Sequence, residues 1–252
     1  MLGAKKGSYG GKIAGKEKMN ELLLIVSLFV IYGSVLLAYK IFGLNGLYCF
    51  TGIATITANI EVLIMVKAFG LEQTLGNILF ASTFLVTDII SEVEGKKASQ
   101  KAVNIGIFTS IFFIIVSQSW LLYVPSASDW AQPAMKTIFS NTPRLMIVSV
   151  LVYAICQRFD VWAYHKWWAI TKKHFKGDSR KALWLRNNGS TLLSQMVNTV
   201  LYTFGAFWGM YKPATLVSIA LSSYVIFIVT SLADTPFVYL ARKIHDKEIT
   251  EQ

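Results

Sequence analysis

Ile105-Gly106-Ile107-Phe108-Thr109-Ser110-Ile111-Phe112-Phe113-Ile114-Ile115-Val116 is an uncharged, almost wholly apolar run. A membrane strand alternates apolar and polar residues over about ten positions. This run does not alternate, and neither does Leu216 to Val229, so both read as helix and a barrel is rejected. A helix needs roughly 20 apolar residues to cross about 30 Å of hydrocarbon. On either side of this run, segments of that kind fall at about 22–42, 47–69, 75–91, 102–124, 145–165, 191–211 and 215–240.

The chain is therefore expected to be an all-α, polytopic membrane bundle of seven transmembrane helices, with six as the alternative if one of the first two stretches is re-entrant. The composition agrees: 54% of residues are hydrophobic and 15% charged. One transport domain is expected over 21–242, between an N-terminal tail or leader at 1–20 and a C-terminal tail at 243–252. The net charge of +10 does not point to nucleic acid, because Lys and Arg collect beside the spans, as in cytoplasmic loops. Lys96, Lys97 and Lys101, the stretch from Lys166 to Arg186, and Arg242, Lys243 and Lys247 all fall on one side of a seven-span chain. This puts the C-terminus in the cytoplasm of a cell (plasma or inner) membrane. The early Lys5, Lys6, Lys12, Lys16 and Lys18 oppose that orientation, and a chain starting at Met19 would lack them.

Cys49 and Cys156 lie in different spans and read as small buried hydrophobes. His165, His174 and His245 lack the spacing of a metal site. Neither a phosphate loop nor a nucleophilic triad can be assembled, so no enzyme, metal or cofactor is expected.

Polar groups within spans are costly and mark function by default. Asp88, Gln157 with Asp160, Gln195 with Asn198, and Asp234 recur at similar depth on four helices, about 5–12 Å inside the cytoplasmic ends at 1.5 Å per residue. Asn59 lies deeper. Residues three or four apart share a face, so Asp88 with Glu92, Gln157 with Asp160, and Thr191 with Gln195 and Asn198 form stripes facing one polar chamber. Plainer readings exist for each. Gln195 and Asn198 serve equally as interhelical glue. Asp160 is placed to pair with Arg158, Asp234 to satisfy backbone freed by Pro236, and Glu61 sits near the midplane without a partner.

The run Thr87-Asp88-Ile89-Ile90-Ser91-Glu92-Val93-Glu94-Gly95-Lys96-Lys97-Ala98 resembles the TD-xx-xE-xxG-xx-A signature of the YhhQ/VUT family of queuosine precursor transporters. Trp184-Leu185-Arg186-Asn187-Asn188-Gly189-Ser190-Thr191 followed by Ser194-Gln195 is similar to a second family segment. Gln157 with Asp160, Ala58-Asn59-Ile60 and Asp234-Thr235-Pro236 also fit. Asn198 stands where the family usually has Asp, which removes one charge.

The resemblance implies import of 7-deazaguanine bases, the nitrile or aminomethyl precursors or queuine, by secondary transport or facilitated diffusion. It implies a substrate site of Asn59, Asp88, Glu92, Gln157, Asp160, Gln195, Asn198 and Asp234. It also makes Arg186, Asn187 and Ser190 a gate, with Arg186 reaching Glu92. The other reading of those three residues is capping ahead of the sixth helix. Carboxylates and amides match the N–H and carbonyl edge of such a ring, and Phe84, Trp162, Tyr202 and Phe204 are candidates to stack on it. A homodimer and proton coupling stay open. So do two other classes: a substrate-binding subunit of a vitamin uptake system, and a structural membrane bundle.

Overall fold

The computed structural model describes residues 4–140, 143–175 and 181–251. Helix α1 (Ala4–Glu61) folds back on itself at Gly43, whose φ of 58° lies in the left-handed region. The reversal is tight: a Cβ on Gly46 would fall on the Ala38 backbone oxygen, and Ile31 of the first limb packs beside Ala54 and Ala58 of the second. The second limb stops at Glu61. The span expected over 47–69 is thus overturned in its last third, where β1 (Met65–Ala68) and β2 (Leu71–Thr74) form an antiparallel hairpin. Its two-residue turn uses Phe69 and Gly70, both at positive φ. Glu61 is accordingly a half-buried helix-end residue near this hairpin, not a midplane acid.

The bundle continues with α2 (Gly76–Val93), α3 (Lys96–Trp120), the short α4 (Gln132–Ser140), α5 (Pro143–His174), α6 (Leu183–Phe207) and α7 (Pro213–Glu251). Five helices among the described residues are long and apolar enough to cross a membrane: Glu17–Glu61 of α1, α2, α3, α5 and α7. Helix α6 matches them in length but is more polar, because its polar side chains turn inward. Counting α6 and both limbs of α1, seven limbs build an all-α polytopic bundle. Helix α2 lies at its centre, buried without interruption from Ala81 to Ser91.

Two ends follow from the connections. The hairpin end carries the β-strands, α4, and the loop from α6 to α7. The basic end carries the α2–α3 junction, the end of α5, the start of α6 and the end of α7, with their lysines and arginines; residues 176–180 of the basic stretch from Lys166 to Arg186 lie outside the described residues. There Tyr32, Leu47, Ile90, Ala102 and Ala241 close a buried core. Cys156 is buried, whereas Cys49 is exposed, against the expectation for it.

Helix α6 starts at Leu183, eight residues before the expected span, after Ala182 in a left-handed conformation with no side-chain cap. Arg186, Asn187 and Ser190 are therefore buried within the helix and do not cap it. Their side chains find partners across the bundle or along the helix, which is what holds these turns inside it.

Candidate functional site

Four helices bring the polar layer together, and it is dry. Asp88 and Asp160 are 0% exposed, Gln195 and Asp234 1%. Thr191 donates to Asp88 Oδ2 at 2.9 Å, Ser194 to Asp160 Oδ1 at 2.6 Å, and Asn187 Nδ2 to Asp234 Oδ1 at 2.7 Å. Each donor is on α6, so the polar face of that helix serves acids on α2, α5 and α7. Thr191 and Ser194 lie one turn apart on the same face of α6, so the Asp88 and Asp160 carboxyls they hold are neighbours in the layer. Gln157 is spent on packing: it accepts from Thr87 at 3.0 Å and donates to Thr83 at 2.8 Å. Arg158 is exposed and bonds Asn104 at 3.3 Å, which overturns its pairing with Asp160.

Below this layer the basic end is sealed around Glu92. Arg186 Nε and Nη2 reach the two Glu92 oxygens at 2.9 and 2.6 Å, Tyr164 donates at 2.6 Å, and Arg242 pairs at 3.1 Å. The Arg186 guanidinium lies 4.4 Å from the Trp168 ring centre, a cation–π distance. The fork geometry and the second arginine offset the desolvation that makes a buried carboxylate costly.

Above the layer is a cavity of about 590 Å³, a size usual for small-molecule sites. Its wall comprises the end of α1, the hairpin, and the hairpin-end turns of α2, α5, α6 and α7. Three buried polar atoms of residues on that wall have no partner among the described residues: Asn59 Oδ1, Tyr153 Oη and Tyr202 Oη. Asn59 Nδ2 donates to Thr55 O at 2.8 Å, which fixes which end of the amide is unmatched. Phe80 and Phe227 supply apolar faces, 6.2 Å apart between ring centres. Among the described residues Glu72 is the only charged one on the wall.

Of the eight expected substrate residues, Asn59 and Asn198 line this cavity. Asn198 donates to Gln195 at 3.2 Å and so links the cavity floor to the acids below. Asp88, Gln157, Asp160, Gln195 and Asp234 are buried beneath the cavity, and Glu92 lies further down in the sealed cluster of the basic end. Of the four candidate aromatics only Tyr202 reaches the wall, while Phe84 is in a packed cluster and Trp162 is 51% exposed on the outer face. Tyr153, Phe80 and the hairpin were missed. Tyr153 had a findable signal: it lies four residues before Gln157, hence on the same helix face.

The most informative relative is a Bacillus subtilis (strain 168) protein named "Probable queuosine precursor transporter", 39% identical over 209 residues, covering 83% of this chain and 89% of that protein. No solved structure matches. The sequence matches the family model described as "Putative vitamin uptake transporter" over residues 74–241. That stretch runs from the last residue of β2 into α7 and contains the acidic layer, Glu92 with Tyr164 and Arg186, and most of the cavity wall. The family match and the name of this relative, on a polytopic helical bundle, make this a membrane transporter and not an enzyme, and the chain belongs to the vitamin uptake transporter family.

Proposed function

We propose that this protein imports 7-deazaguanine queuosine precursors across the plasma or inner membrane by alternating access, as a secondary carrier or a facilitator. The observation that carries the proposal is the stacking of a roomy, sparsely charged, partly aromatic cavity directly on a buried layer of carboxylates and amides, in a chain 39% identical to a protein of that name. In this reading the base first meets Asn59, Asn198 and the unmatched tyrosine hydroxyls. A guanine-like edge presents N–H donors beside a carbonyl acceptor, and amide and phenol groups answer both. Asp88, Gln157, Asp160, Gln195 and Asp234 form the path that the second state opens, and Glu92 with Arg186 is its inner gate.

The positive-inside tendency places the basic end and the C-terminus in the cytoplasm and turns the cavity outward. One chain builds both cavity and layer, so a homodimer is not needed for this mechanism. The test is uptake of labelled 7-cyano-7-deazaguanine into a precursor-auxotrophic host by wild type, Asp88→Asn and Gln195→Ala. Wild type accumulates the base and both variants fall well below it. Equal accumulation in all three, or none above an empty host, removes the reading. Uptake by the purified chain in liposomes separates a self-sufficient carrier from a subunit that requires an ATPase.

A further inference from the structure

The hydrogen bonds of the acidic layer do not balance. Asp88 Oδ1, Asp160 Oδ2 and Asn187 Oδ1 are buried without a partner among the described residues. All three are acceptors. The Thr191, Ser194 and Asn187 donors are already committed to the other oxygens. Nor is there a compensating cation: among the described residues Asp88, Asp160 and Asp234 form no ion pair, and the nearby arginines Arg186 and Arg242 converge on Glu92. An unmatched buried acceptor carries a full desolvation cost, and a buried unpaired charge a larger one. What is missing is hydrogen.

Within the transport reading above, on which this rests, we infer that Asp88 and Asp160 hold one proton between them as a carboxylic acid–carboxylate pair, and that this proton crosses the membrane with the substrate. Two neighbouring carboxyls inside a dry bundle satisfy each other when one is protonated, and repel when both are ionised. A proton needs no space of its own, which suits two oxygens that water cannot reach. The other titratable groups around the pair leave it alone in this task. Cys156 and Tyr164 on α5 and Tyr32 on α1 are weak acids, Glu92 on α2 is held by two arginines, and Asp234 on α7 takes the Asn187 amide.

The α6 face supplies the coupling route. Asn198 at the cavity floor touches Gln195, and one turn further Ser194 and Thr191 hold the two acids. In the outward state Asp88 Oδ1–H donates to Asp160 Oδ2. When the basic end opens and water enters, the O–H bond breaks, the proton leaves to that side, and two carboxylates remain. Hydration stabilises the two carboxylates while the layer is open, and the layer closes dry again only after a proton from outside, entering by the cavity side, restores the pair.

The experiment uses purified full-length protein in liposomes that enclose a pH-sensitive dye, in sodium-free choline buffer, with 7-cyano-7-deazaguanine added outside. Wild type acidifies the interior as the base enters, and an inside-alkaline gradient raises the initial rate several-fold. In Asp160→Asn, where the new amide donates permanently to Asp88, the acidification and the gradient response are lost. Infrared spectra of the same samples give a readout independent of transport: wild type shows the carbonyl stretch of a buried protonated carboxyl, and both Asp88→Asn and Asp160→Asn lose it. Uptake without proton movement, a requirement for sodium, or an infrared band unchanged in both variants overturns the coupling while import stands. No uptake under any gradient removes import and coupling together.

Discussion

Arg186 and Glu92 face each other fork to fork, 2.9 and 2.6 Å apart, with side chains 0% and 2% exposed, at the end of the bundle opposite the cavity. In the proposed mechanism this pair is the inner gate, which would open only by giving a buried charge pair to water, so its strength would set how rarely the basic end opens. Removing one partner of a buried pair costs roughly 3–5 kcal/mol, and Arg242 limits that loss. Arg186→Ala is expected to lower thermal stability most, Tyr164→Phe less, and Arg242→Ala least, because Arg242 meets Glu92 through one 3.1 Å pair, not a fork, and its side chain is partly exposed. Exchanging the charges, Glu92→Arg with Arg186→Glu, should rescue uptake only in part, since the new arginine meets Arg242. Full rescue would show that Arg242 does not face the pair, and no rescue would count against the gate.

Tyr202 tests the cavity against the fold. Its hydroxyl has no partner among the described residues, so Tyr202→Phe removes an unsatisfied group worth about 1 kcal/mol or more. Melting temperature should stay level or rise slightly. If the hydroxyl meets the base, the apparent Km for uptake rises roughly 3–10-fold, the worth of one hydrogen bond. A lowered melting temperature with unchanged Km would assign Tyr202 to the core instead.

The sequence was most legible where physics is local. Apolar run length located the limbs of the bundle, and residue spacing put Asp88, Asp160, Asp234 and Gln195 into one layer. It failed where tertiary partners override local preference. The hairpin at 65–74 was read as the end of a span because Ile64 to Ala68 is apolar except for Lys67. The start of α6 was read as a loop because Arg186, Asn187 and Asn188 look like solvated residues. Only Glu92, Asp234 and Thr235 on other helices make those turns buried helix. Residue spacing groups these side chains on one level of the bundle, but equal height does not distinguish a wet chamber from the closed network the structure shows.

Gly106 permits the Tyr153 position. A Cβ there would meet the Tyr153 hydroxyl and lie 2.7 and 2.9 Å from ring carbons Cζ and Cε1. Gly106→Ala should cost about 1–3 kcal/mol as overpacking and push the ring aside. Because the hydroxyl is the nearest clash, adding Tyr153→Phe should recover part of that stability, a non-additivity expected of residues in contact. Melting curves of the two single variants and the double variant decide it, and strict additivity would separate the two residues.

The hairpin is a cavity wall tied to the first limb of α1, and its ties are unequal. Glu17 pairs with Lys67 at 3.0 Å with both side chains partly exposed, a contact worth about 0–1 kcal/mol. Asn20 donates to Lys67 O at 3.0 Å, and the Phe69 amide, in a left-handed turn, donates to Glu21 at 3.0 Å. A chain beginning at Met19 loses only the first of these. It should keep uptake and melting temperature close to those of the full chain. Asn20→Ala with Glu21→Ala in the full chain should free the turn, speed proteolysis near Phe69 and reduce uptake, because Gly70 to Thr74 face the cavity. If the shortened chain fails while the double variant transports normally, residues before Met19 support the cavity and the backbone ties do not.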